Sequence, residues 1–183
     1  FSGMSDLASA ANVMTSSPLP LPSGISPDML RTVFQPIFRL STAEILGYEA
    51  LLRGPVGSAM ESPAALFAAA NDTASAIALE TTAARLAIER FSAMRLPGKL
   101  FLNFSAFGVH ELLQDHARLL QAIADHDLQP SRIVIELTEQ TPIDDLASFA
   151  TALSVARDFG MQCALDDFGT GNANLNLLIE LTP

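Results

Sequence analysis

Apolar residues fall along the chain in two rhythms, short near-continuous runs and longer stretches repeating every three to four positions. Five runs read as strands: TVFQPIFRL, ILGYEALLR, KLFLNFS, RIVIELTE and QCALDDFG. The first two are separated only by STAE, a connection suited to neighbouring antiparallel strands. Pro36 lies inside the first run, and a strand that lacks an amide there belongs at a sheet edge. Between the second and third runs, Ser62 and Pro63 provide a helix cap and a first-turn proline. The Ala-rich stretch that follows, interrupted near Asn71 and Asp72, predicts one or two helices ending at about Met94. ELLQDHARLLQAIADHD predicts an amphipathic helix, with Leu112, Leu113, Leu119 and Leu120 on its inner face. Another helix is expected from Thr141 and Pro142 to Gly160. Strands alternating with helices imply parallel β-α-β units, and the unbroken apolarity of IVIEL and CAL fits strands covered on both faces.

The polar residues that close these runs are less easily explained by packing. Glu49, Asn103, Glu136 and the pair Asp166 and Asp167 all occur near strand ends, where α/β folds gather functional residues on one rim. Two carboxylates about 4 Å apart repel by roughly 4 kcal/mol at an effective dielectric of about 20. One or more cations are therefore expected among them.

Composition narrows the possible partners. The 183 residues carry a formal net charge of -10, which argues against a surface built to neutralise a DNA or RNA polymer. Hydrophobic residues make up 49% of the chain, but charges interrupt each run before the ~18 to 20 residues needed to cross a bilayer. No membrane span is expected. The single cysteine, Cys163, excludes an intrachain disulfide and suits a reducing, cytoplasmic setting; within its apolar strand it reads as a buried structural thiol. Residues 1–26, with the run SSPLPLPSG and with Phe1, Ser2 and Gly3 ahead of Met4, read as a tag remnant and flexible leader before an organised region over 27–183. His110, His116 and His126 lie away from the strand ends and read as solvated. Phe104 and Phe107 are expected in the core.

Five motifs in order, QPI at Gln35, GYEALLRGP from Gly47, LNFS from Leu102, IELTE from Ile135 and LDDFGTG from Leu165, resemble those of the EAL domain, the bacterial phosphodiesterase module that cleaves cyclic di-GMP to linear pGpG. The resemblance implies a (β/α)8 TIM-like barrel with an antiparallel first strand, of which about the first five strands are present. It also implies two divalent ions, Mg²⁺ or Mn²⁺, held by Glu49, Asn103, Glu136, Asp166 and Asp167, with Glu49, Asp166 and Asp167 in the catalytic role. Hard oxygen donors without His or Cys suit those ions, and two ions held together serve phosphodiester hydrolysis. By the same resemblance Gln35, Leu52 and Arg53 bind substrate, Arg53 at a phosphate and Gln35 near a guanine. Glu139 steadies the loop after Asp167 and does not bind metal. A surface ion pair of Arg53 with Glu49 or Glu61 is the competing reading of that arginine.

Two departures from the family pattern stand out. Asn172, Ala173 and Asn174 replace an aromatic and small hydroxyl residues after DDFGTG, and the family's later lysine, glutamate and glutamine do not occur before Pro183. A (β/α)8 barrel typically needs about 250 residues, so the native polypeptide is expected to continue beyond Pro183, with room for a further signalling domain, and a homodimer is expected. The fragment ending at Pro183 is expected to be inactive by itself. The alternative function is a signalling module that binds cyclic di-GMP without cleaving it.

Overall fold

The computed structural model describes residues 20–114, 116–138 and 146–166. Its centre is one five-stranded sheet in the order β1-β2-β3-β4-β5, formed by Arg31–Arg39, Glu44–Arg53, Lys99–Phe104, Ile133–Thr138 and Gln162–Asp166. β1 runs antiparallel to β2, and every later pairing is parallel. Helices α1 (Pro63–Ala69) and α2 (Thr73–Ala93) connect β2 to β3, α3 (Ala106–Gln114) and α4 (His116–Asp125) connect β3 to β4, and α5 (Leu146–Asp158) leads into β5. An antiparallel first strand followed by β-α units is the opening portion of a (β/α)8 barrel, as expected.

Local chemistry explains several boundaries. Pro36 is accommodated because, among the described residues, β1 lies at the sheet edge and pairs only with β2. The Ala-rich stretch divides into two helices at Asp72, whose carboxylate accepts the Ser75 amide at 2.7 Å and caps α2. Ser62 caps α1 by accepting the Ala65 amide at 3.2 Å, and Pro63 is its first residue. At the other end of the chain α5 stops as predicted: Gly160, at φ 86°, donates its amide to the Arg157 carbonyl at 2.7 Å. Its expected start at Thr141 and Pro142 lies outside the described residues. The segment after β3 differs from expectation, since helix begins at Ala106, five residues before Glu111. Ser105 supplies the cap there, its Oγ accepting the Gly108 amide at 3.1 Å and its carbonyl the Val109 amide at 2.9 Å.

Side chains alternate across the sheet with a period of two, which separates two surfaces. Leu100, Leu102, Phe104, Ile133, Ile135 and Leu137 point toward the helices and join Ile88, Phe91, Val109, Ile123 and Leu153 in the main core. Phe91 is fully buried and meets Phe34 and Tyr48 edge-on, with ring centroids 5.9 and 6.3 Å away, while the Arg132 guanidinium lies 4.9 Å over its face. A smaller cluster joins Leu30, Leu52, Leu66 and Leu79. Close approach of β2 and β3 requires Gly47, because a Cβ there would collide with the Lys99 backbone carbonyl. Phe104 is a core residue as expected; Phe107 is not, being 51% exposed on α3. Cys163 is half-buried, and burial pushes its thiol above the ordinary value, with the Arg157 charge and a hydrogen bond from Arg157 pulling it partly back. Among the described residues no helix is long and apolar enough to cross a membrane.

Phe91 carries both the aromatic cluster and the α2-to-sheet contact, so Phe91→Ala should lower the unfolding free energy by about 3–5 kcal/mol. Urea unfolding followed by circular dichroism measures this, and a loss below about 1 kcal/mol would contradict the assigned core.

Candidate active site at the strand ends

The sheet face turned away from the helices carries the polar strand ends. Gln35 and Glu49 are direct partners across β1 and β2, and side chains so paired stand on the same face. Asn103 and Glu136 are direct partners across β3 and β4, on strands about 4.8 Å apart. Glu49 pairs in register with Phe101, two residues before Asn103. The Asn103 side chain spans that offset, its Nδ2 donating to Glu49 Oε1 at 2.7 Å. Glu136 pairs with Ala164, and two positions on, the backbone of Asp166 pairs with Thr138 at the same end of the sheet. Glu49, Asn103 and Glu136 are all half-buried. Asp167 and Glu139 lie outside the described residues, as do Asn172, Ala173 and Asn174. Among the described residues no three His, Cys, Asp or Glu side chains gather into a cation site.

The donor set still fits a hard cation. The Asn103 amide gives its N–H to Glu49 and retains its carbonyl oxygen for a metal, and the Glu49 carboxylate keeps its second oxygen. Oxygen donors of this kind suit Mg²⁺, Mn²⁺ or Ca²⁺ better than zinc.

The expected substrate residues separate. Arg53 stands four residues after Glu49 on β2 and so on the same face. Its Nη1 donates to the Leu52 carbonyl at 2.8 Å. The competing pairing with Glu61 does not form, since Glu61 is engaged by Arg31 at 2.6 Å and by the Gly57 amide at 2.8 Å. Among the described residues no carboxylate pairs with Arg53. Leu52 is not brought to this face. It is buried against Leu30, Leu66 and Leu79 on the helix side, because it falls on the opposite pleat from Glu49 and Arg53. The histidines remain apart from the site, although His116 is not merely solvated, its ring lying 5.3 Å from that of Phe159.

One residue near the site was not anticipated. Glu80 on α2 is 8% exposed; its Oε1 accepts the Ser105 amide at 3.3 Å and its Oε2 the Ser105 hydroxyl at 3.1 Å. An acid between Leu79 and Ala84, at a helical position otherwise occupied by buried apolar residues, was the available signal. Burial pushes the Glu80 carboxyl above its ordinary value, and the two bonds from Ser105 pull it partly back.

Comparison with known proteins identifies the class. The EAL domain family profile matches residues 21–183, and the chain belongs to that family. It is 34% identical to the cyclic di-GMP phosphodiesterase PA2567 of Pseudomonas aeruginosa, over 81% of this chain and 26% of that protein. It is 29% identical to the uncharacterized protein Rv1354c of Mycobacterium tuberculosis, over 96% of this chain and 29% of that protein. The chain thus spans less than a third of the length of these two relatives. Among solved structures, the Klebsiella pneumoniae BlrP1 manganese/cyclic di-GMP complex superposes with a TM-score of 0.73 at 23% identity, over 91% of this chain and 46% of that one. A standalone EAL protein from Vibrio cholerae, bound to cyclic di-GMP, superposes with a TM-score of 0.68 at 27% identity, over 82% of this chain and 62% of that one.

Because the folded state holds the Glu80 proton more tightly than the unfolded chain, this group favours folding below the unfolded carboxyl value of about 4.3. It loses that contribution as pH rises through its higher folded value. The stability of the wild type minus that of Glu80→Gln should therefore fall as pH rises above about 4.3. Parallel stability profiles for the two proteins would contradict this.

Proposed function

We propose that the complete protein hydrolyses cyclic di-GMP to linear pGpG with the help of divalent cations. The observation that carries the reading is the Asn103 to Glu49 hydrogen bond beside Glu136, on a chain of the EAL family related to a cyclic di-GMP phosphodiesterase. Glu49, Asn103, Glu136, Asp166 and Asp167 would hold two ions, Mg²⁺ or Mn²⁺. When bound, such ions supply an activated water and neutralise charge on the phosphodiester. The chain's own residues supply placement. Asn103 orients the Glu49 carboxylate, and Glu136 stands beside Asn103 in register.

Arg53 offers a guanidinium with no competing carboxylate among the described residues, suited to gripping a phosphate through two parallel N–H bonds. Gln35, opposite Glu49, presents an amide able both to donate to and accept from a guanine edge. Glu139 would steady the loop after Asp167. A homodimer, a further signalling domain beyond Pro183 and a cytoplasmic setting belong to the same proposal.

The test is chromatography of product formed by the full-length protein with Mn²⁺. Linear pGpG should accumulate, and Glu49→Ala should reduce turnover more than about 100-fold while the circular dichroism spectrum is retained. Full activity in Glu49→Ala would refute the ligand assignment. Calorimetry showing tight binding of cyclic di-GMP without pGpG would instead favour a binding module.

Loss of a charge-assisted phosphate contact costs about 1.5–3 kcal/mol. Arg53→Ala should accordingly weaken cyclic di-GMP binding about tenfold to a hundredfold, and Arg53→Lys should restore only part of it. An unchanged affinity in Arg53→Ala would remove Arg53 from the substrate site.

A further inference from the structure

Glu80 is out of place as a packing residue. Its neighbours on the buried face of α2 include Leu79 and Ala84, and burying a carboxylate costs several kcal/mol unless its oxygens are satisfied. Both oxygens are satisfied by one residue, Ser105, which leaves β3 two positions after Asn103. Ser105 in turn caps α3 through the Gly108 amide. A side chain at Gly108 would have to displace the Glu80 carboxylate, since a Cβ there would fall on it. Carboxylate, hydroxyl, amide and glycine thus form one continuous clamp from α2 to the start of α3.

The clamp borders an open pocket. A cavity of about 490 Å³ lies beside the turn, with Thr32, Glu80, Asn103 and Ser105 in its wall. The end of β3 borders that space, and the two hydrogen bonds that Glu80 accepts from Ser105 oppose its movement.

We propose that Glu80 is a positioning residue for Asn103, holding the β3 to α3 turn in the place from which Asn103 grips Glu49, so that cation affinity depends on a side chain that need touch neither ion nor substrate. The assignment to cation affinity rests on the proposed function. The placement of the turn does not.

Two measurements on the full-length protein keep these apart. In metal-free hydrogen–deuterium exchange, Glu80→Ala should speed exchange of amides 103–109 at least about tenfold, with the β4 amides little changed. In Mn²⁺ titration followed by electron paramagnetic resonance, the same variant should bind about tenfold to a hundredfold more weakly, and excess Mn²⁺ should restore turnover. Glu80→Gln, which keeps an acceptor for Ser105, should recover most of both losses. Gly108→Ala displaces the carboxylate without removing it and should reproduce the defects, yet add nothing in the Glu80→Ala background. Should Glu80→Ala fail to fold, Gly108→Ala and Glu80→Gln carry the same expectations.

Unchanged exchange over 103–109 in folded Glu80→Ala or Gly108→Ala would overturn the positioning role, whatever the metal data. Faster exchange with unaltered Mn²⁺ affinity would overturn the link to the cation. A wild type that binds no Mn²⁺ would defeat the cation reading, while faster exchange in the variants would still support the clamp.

Discussion

Register between the parallel strands is the constraint from which the rest of the site follows. Side chains alternate with a period of two, so a slip of one residue between β3 and β4 would turn Asn103 and Glu136 to opposite faces. Ile135 and Leu137 would leave the core in the same step, and that coupling resists the slip. Burial of each strand's helix-facing side therefore sets the position of the polar residues on its other side. Gly47 contributes at the β2 to β3 seam by letting the strands approach where a Cβ would meet the Lys99 carbonyl.

Hydrogen bonding then turns a shared face into a site. Asn103 reaches back two residues along the sheet to Glu49, so residues from different strands act as one unit. Behind the sheet, Glu80 ties α2 to the turn that follows Asn103. The helix layer is thus connected to the strand ends by directed bonds as well as by apolar contact, and a buried carboxylate is tolerated there because both its oxygens accept hydrogen bonds.

Much of the fold could be read from local pattern. Pro36 marked an edge strand, Ser62 and Pro63 a helix start, and Gly160 a helix stop, each because a backbone property admits few alternatives. The helix after β3 began earlier than expected because Ser105 was read as the end of a strand instead of a cap. Phe107 was misplaced because residue type alone does not tell which side of a helix faces the core. Leu52 was carried with its neighbours in the GYEALLR motif, although strand alternation places it on the face opposite Glu49 and Arg53.

By itself the sequence determined the family, the alternation of strands and helices, and the placement of Glu49, Asn103 and Glu136 near strand ends. These follow from order and periodicity along one chain. Only the tertiary structure decided that Asn103 bonds to Glu49, that Glu61 serves Arg31 and not Arg53, and that Glu80 meets Ser105 and Gly108. Those contacts join residues separated by 25 to 54 positions. No local pattern encodes their distance, which is set by how α2 packs on the sheet and how the strands align.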